Sequence, residues 1–340
     1  MRNMKVSALV TGFDGFVGPY LAQRLLSMGR KVFGTIYSGK KWNPPVSEFL
    51  AEKIIEETET LPIDLEDYGK VRELIETVQP REVYHLAGIS HVPTSWANPR
   101  STFSINVMGT VNLLEAIREL GNKTRILIVS SAEVYGTPRK GELPTKETCP
   151  LRPENPYAAS KAAIDLLAGQ WSDYPGIHIV RVRPFSHTGP GQSADFACPA
   201  FARQAAAIEL GLTPPAIRVG NLSVKRDFSD VRDVVKAYFL ALQKGANGEA
   251  YNVCSGKSLR LSRILNILTS FCDKKISVEI DPDRFRQTDV PETRGSHAKL
   301  SRMTRWRPQI PLRNTLHDLY RYYYDLLKNG SSISSTRTKR

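Results

Sequence analysis

Through the first half of the chain, short apolar runs rich in β-branched residues alternate with stretches whose apolar positions recur every three to four residues. Residues 6–10 read as a buried strand, and residues 16–28 as a helix with Val17, Leu21, Leu25 and Met28 on one face. The same reading gives strands at 31–37, 60–65, 82–87, 126–131 and 177–182. Helices fall at 68–78, 102–120 and 157–171. Strands alternating with helices in this way predict a doubly wound α/β fold, a parallel sheet covered by helices on both faces.

The pattern changes after about residue 184. Gly189, Pro190 and Gly191 form a loop, followed by a helix at 199–210 and a short strand at 217–219. A helix at 231–243, a strand at 250–253 and helices at 258–271 and 312–328 complete the chain. The expected division is a dinucleotide-binding domain over 1–183, to which 225–255 returns, and a smaller α+β substrate domain over 184–329. The polar, small-residue segment 330–340 reads as a disordered tail.

Composition narrows the classes. With 41% hydrophobic and 24% charged residues in 340, the chain reads as globular and long enough to need no staples. Its four cysteines (Cys149, Cys198, Cys254, Cys272) show neither metal-ligand nor redox spacing, so no metal is expected. No uncharged apolar run nears the about 20 residues of a membrane helix. The apolar stretch after Arg2 and Lys5 stops at a glycine turn without a cleavage site, so a cytoplasmic location is expected. The net charge is +13, and residues 281–340 carry 13 Lys+Arg against 6 Asp+Glu. These charges are dispersed and accompany no nucleic-acid-binding signature, which argues against a nucleic-acid partner.

Candidate chemistry begins at residues 11–18, TGFDGFVG, between the first strand and the first helix. Glycines there let the backbone turn sharply and approach a pyrophosphate, which the helix N-terminus attracts. Gly12, Gly15, Phe16, Val17 and Gly18 are therefore cofactor candidates. The second strand ends in Tyr37, Ser38, Gly39, Lys40 and Lys41, without the acidic residue that binds a ribose 2′-hydroxyl. Tyr37, Ser38 and Lys40 suit a 2′-phosphate, which favours NADP(H). Asp64 and Leu65 fall where an adenine amine is read. Tyr157 and Lys161, spaced Y-x-x-x-K, lie one helical turn apart on one face. An ammonium there is expected to lower the tyrosine pKa, and Ser131 at a strand end to orient a carbonyl oxygen.

Taken together, TGFDGFVG, Ser131 ahead of Ala132-Glu133-Val134-Tyr135-Gly136, and Tyr157-Ala158-Ala159-Ser160-Lys161 resemble the extended short-chain dehydrogenase/reductases over about residues 4–328. The resemblance implies Ser131, Tyr157 and Lys161 as the catalytic set. It places Leu86, Ala87 and Gly88 of the HLAG segment along the cofactor and Asn106 near the active site. It also implies a homodimer paired through helices near 102–120 and 157–171. Residues 183–192, RPFSHTGPGQ, are similar to RPFNHTGPGQ of the reductases of GDP-4-keto-6-deoxy-D-mannose within this family. VGNL at 219–222, RDFSDVRD at 226–233 and TDVP at 288–291 resemble the same group.

The implied partner is a nucleotide sugar, with Ser90, Ser186, Asn221, Arg226, Arg286 and Arg294 as substrate candidates. Forked arginines suit a diphosphate. Ser186 departs from the group's asparagine. GDP-mannose 4,6-dehydratases share the G-N-L and R-D pieces. Dehydration needs an acid and a base beside the sugar. Ala132 counts against it, and Glu133 keeps it open as a further catalytic candidate. An epimerase or a non-catalytic NADP-binding protein are the remaining readings.

Overall fold

The computed structural model describes residues 6–37, 52–285 and 289–337; Ser38, Lys40, Lys41, Arg286 and Thr288 lie outside them. In chain order the strands are β1 (Ser7–Thr11), β2 (Lys31–Ile36), β3 (Glu59–Pro62), β4 (Glu82–His85), β5 (Thr124–Val129), β6 (Ile177–Pro184), β7 (Ser186–Thr188), β8 (Ala216–Val219), β9 (Lys225–Asp230), β10 (Ala250–Val253), β11 (Ser258–Arg260) and β12 (Ser277–Ile280).

Seven of them form one parallel sheet in the order β10-β6-β5-β4-β1-β2-β3. Thr11 lies beside His85, and Val10 beside both Gly34 and Tyr84. The order reverses at β1, so connections leave β1 and β4 toward opposite faces and open a crevice beyond the C-terminal strand ends. Strands covered on both sides must be apolar throughout. Ala8, Leu9, Val10, Val83, Ile126, Leu127 and Ile128 are all fully buried.

One face is packed by helices Val17–Ser27 and Val231–Lys244, which bring Leu21, Leu25, Val234 and Tyr238 against Val182 and Leu127. The other is packed by helices Tyr68–Val78, Gly109–Leu120 and Pro156–Trp171 around Val83, Ile126 and Ile179. The helix after β9 and strand β10 thus belong to the large sheet, whereas β9 pairs with β7 and β11 in a three-stranded sheet. A separate apolar cluster joins helices Ala197–Glu209, Leu261–Thr269 and Leu312–Arg337 over β8.

Local sequence explains the helix that matters most for the site. Asn155 caps Pro156–Trp171, accepting the Ala158 N–H at 2.8 Å, and proline occupies the first turn. Such a cap contributes about 1 kcal/mol and sets where the helix begins, hence where Tyr157 points.

Two expectations change. The helix predicted over 102–120 is interrupted: Pro99–Phe103 runs into a π-helical turn, Ser104–Met108, before Gly109–Leu120. One extra residue per turn rotates Asn106 inward. The last helix continues to Arg337 rather than giving way to a tail at 330, because extending a helix already seated on a core needs no new nucleus. Residues 338–340 lie outside the described residues.

The Pro190–Gln192 loop is held from both ends of the chain. The Tyr20 hydroxyl donates to the Pro190 carbonyl at 2.9 Å, and that of Tyr323 to the Gln192 carbonyl at 2.5 Å.

Candidate active site

The crevice at the strand-order reversal opens into a cleft of about 1290 Å³ between the large sheet and the smaller sheets. Gly12, Gly15, Phe16, Val17 and Gly18 form one wall, continued by Tyr37, Asp64, Leu65, Leu86, Ala87 and Gly88. The glycines are required by space. Gly12 has φ +68°, and a Cβ there would stand 2.7 Å from the Ala87 Cα. At Gly18 a Cβ would meet the Phe13 carbonyl oxygen at 2.4 Å. The loop is a bare backbone cradle at the N-terminus of helix Val17–Ser27, which suits a pyrophosphate.

Ser131, Glu133, Tyr157 and Lys161 line the same cleft. Ser131 ends the segment after β5, and its Oγ accepts the Glu133 N–H at 3.1 Å. The Ser131 hydroxyl also favours the ionised form of Tyr157. The Tyr157 N–H is held by Ser95 Oγ at 3.1 Å. Lys161 Nζ donates to the Val129 carbonyl at 2.9 Å.

The expectation that Lys161 lowers the Tyr157 pKa is corrected by this geometry. Burial dominates and pushes the phenol up to about 12; the Ser131 hydroxyl opposes it and Glu133 adds to it. Burial alone brings Lys161 down to about 8.

A pH dependence follows. Tyr157 stays protonated across neutral pH, as a proton donor must. Lys161 is cationic below about pH 8 and neutral above it. If the ammonium holds a cofactor ribose, kcat/KM is flat at lower pH and falls as pH rises through about 8. A kcat/KM profile from pH 6 to 10 measures this; a profile flat to pH 10 removes Lys161 from that role.

Two candidate residues fall elsewhere. Asn106 is 1% exposed and stays behind the cleft wall. Its Oδ1 accepts the Ile89 N–H at 2.7 Å, and its Nδ2 donates to the Ile89 carbonyl and to Ser160 Oγ. The π turn aims it at the loop after β4, so it positions the cleft wall rather than lining it. Arg294 is also absent from the lining. Its backbone carbonyl accepts the Thr145 N–H at 2.8 Å, which pins the segment against residue 145, and its guanidinium lies 3.9 Å from Glu292.

Ser90, Ser186, Asn221 and Arg226 line the same cleft. Asp289, which sequence reasoning quoted in a motif but gave no role, organises two of them. It accepts from Asn221 Nδ2 at 2.9 Å and Arg226 Nη2 at 3.1 Å. Arg226 also donates to the Val290 carbonyl at 2.6 Å. A carboxylate facing two polar neighbours leaves no periodic signal, so only their meeting in space reveals it. His187 was missed as well. It stacks on Phe16 with ring planes 9° apart, and its Nδ1 faces the Phe185 carbonyl at 3.1 Å.

A parallel sheet with a glycine cradle, a buried tyrosine and lysine on one helix, and a strand-end serine define an extended short-chain dehydrogenase/reductase. Residues 9–319 match the family described as GDP-mannose 4,6 dehydratase, and the chain belongs to that family. It is 39% identical to the GDP-6-deoxy-D-mannose reductase of Pseudomonas aeruginosa over 70% of this chain and 78% of that protein. It is 30% identical to a GDP-mannose 4,6-dehydratase of Vibrio cholerae over 93% of each. The structure of RMD from P. aeruginosa complexed with NADPH superposes with a TM-score of 0.80 at 32% identity, over 94% of this chain and 99% of that one. The chain is accordingly an NADP-dependent enzyme of nucleotide-sugar metabolism, with reduction and dehydration as the two chemistries to separate.

Proposed function

We propose that the chain reduces the C4 carbonyl of a GDP-4-keto-6-deoxyhexose, with NADPH as reductant. The observation that carries this reading is a buried, protonated Tyr157 in one cleft with Ser131 and Lys161, with an alanine at 132. That arrangement supplies one proton to one oxygen, which is all a ketone reduction asks of the protein. NADPH, when bound, supplies the hydride that goes to C4. Ser131 orients the carbonyl oxygen, and Tyr157 gives its proton to that oxygen as the carbon–oxygen double bond becomes a single bond. Lys161 holds the ribose next to the nicotinamide. Gly12, Gly15 and Gly18 bring backbone N–H groups to the pyrophosphate, and Asp64 with Leu65 takes the adenine. Arg226, set by Asp289, faces the substrate diphosphate, and Asn221, Ser186 and Ser90 face the nucleotide sugar.

One observation favours dehydration. Glu133 lines the cleft, and its carboxylate acts on Tyr157. The two chemistries separate in one assay of NADPH absorbance. Stoichiometric oxidation with GDP-4-keto-6-deoxy-D-mannose, and none with GDP-mannose, is expected. A 4-keto product from GDP-mannose without net oxidation assigns Glu133 to dehydration and ends the reductase reading.

The proposed division of labour is cofactor binding by residues 1–183 with the helix and strand that return to the sheet, and sugar binding mainly by 184–329. We also infer a homodimer in the cytoplasm. Phe103, Met108 and Leu166 are exposed apolar side chains on the helical surface formed by 99–120 and 156–171. Among the described residues no helix is long and apolar enough to cross a membrane. Light scattering is expected to give twice the 38.0 kDa chain mass; a monomer at micromolar concentration removes the dimer.

A further inference from the structure

Eight tyrosines are buried among the described residues, and six have a hydrogen-bond partner for the phenol oxygen. Tyr20 and Tyr323 donate to backbone carbonyls. Tyr84 donates to Glu82, and Tyr135 to Asn252. Tyr251 accepts the Ala246 N–H, and Tyr320 takes a weak bond from Cys272. The two exceptions, Tyr157 and Tyr238, both line the cleft. Tyr238 is 1% exposed, yet no described residue hydrogen-bonds its hydroxyl.

A buried phenol normally finds a partner, because leaving the O–H unpaired wastes a bond it would make in water. Tyr238 lines the cleft. It stands on helix Val231–Lys244, whose side chains lean toward the helix N-terminus, the end joined to β9. Its ring packs among Leu21, Leu127 and Val182 on one face of the large sheet, while Tyr157 comes from a helix on the other. The two phenols thus line one cleft from opposite faces of the sheet. Burial keeps Tyr238 protonated, and therefore a donor.

A flat ring lying between these walls turns one face to Tyr157 and the substrate, and a polar edge toward Tyr238. On a nicotinamide the polar substituent is a primary carboxamide, whose carbonyl oxygen accepts what Tyr238 offers. We propose that the Tyr238 hydroxyl donates to the carbonyl oxygen of the nicotinamide carboxamide and so fixes the rotation of the ring. This rests on the NADPH reading above. In the sequence Tyr238 falls inside the helix expected at 231–243, with nothing to distinguish it from core.

Equilibrium binding tests it without turnover, using NADPH and 2′-phospho-ADP-ribose, which lacks the nicotinamide. Tyr238→Phe keeps the ring and removes the donor. It is expected to weaken NADPH about tenfold and leave 2′-phospho-ADP-ribose unchanged. Equal changes for both ligands, or none for either, overturn the proposal. Should the variant not fold by thermal melt, the wild-type protein decides. The reduced 3-acetylpyridine analogue of NADPH keeps the carbonyl and lacks the amide nitrogen, and is expected to bind nearly as well as NADPH. Binding no tighter than 2′-phospho-ADP-ribose overturns it. If the wild type binds neither NADPH nor 2′-phospho-ADP-ribose, it is the cofactor reading that fails.

Discussion

Tyr157→Phe lowers turnover of the 4-keto sugar about 10³-fold while leaving NADPH affinity within a factor of about two, the range removal of a positioned general acid produces. The phenol oxygen is the atom that matters. The Tyr157 ring is 9% exposed, so phenylalanine preserves the packing. Its backbone N–H still reaches Ser95 Oγ, and the Asn155 cap is untouched. What is lost is the proton that burial holds on the phenol up to about 12. Single-turnover NADPH oxidation beside NADPH fluorescence titration separates the two quantities. Wild-type turnover in the variant would remove Tyr157 as the proton donor.

Gly12→Ala is expected to strike the cofactor rather than the chemistry. An alanine Cβ at φ +68° is strained by about 1–3 kcal/mol. It also stands 2.7 Å from the Ala87 Cα and 2.8 Å from the Ala87 N, which are backbone atoms of the strand-end loop after β4 and cannot rotate away. The cradle must open, so NADPH affinity falls about tenfold to 100-fold. Melting temperature falls by several degrees. Titration and a thermal melt on the same preparation check both. Unchanged affinity would show that the pyrophosphate does not sit against this turn.

The large sheet was legible because burial on two faces leaves one solution. Leu9, Val83 and Ile126 lie in strands whose neighbours are apolar as well, and the intervening helices carry a clear stripe. The small sheets were not. Strands β7 and β9 contain Ser186, His187, Lys225, Arg226 and Asp227, with no alternation, and exist because residues far apart in sequence pair. The glycine loop, Tyr157, Lys161 and Ser131 were legible because their spacing carries their geometry. One π turn aims Asn106 at Ile89 and Ser160, and a helical repeat cannot register a single extra residue. The electrostatics of Tyr157 and Lys161 turned on burial, which residue spacing does not register. Asp289 and Tyr238 became visible only when distant elements met around one cleft.

The loop held by Tyr20 and Tyr323 bears on how the enzyme is made. Gln192 lines the cleft, and the hydroxyl that fixes its carbonyl belongs to a residue 131 positions further along. That tie on the cleft wall can form only after residue 323 has been synthesised, and a truncation ahead of Tyr323 leaves the Gln192 carbonyl without it.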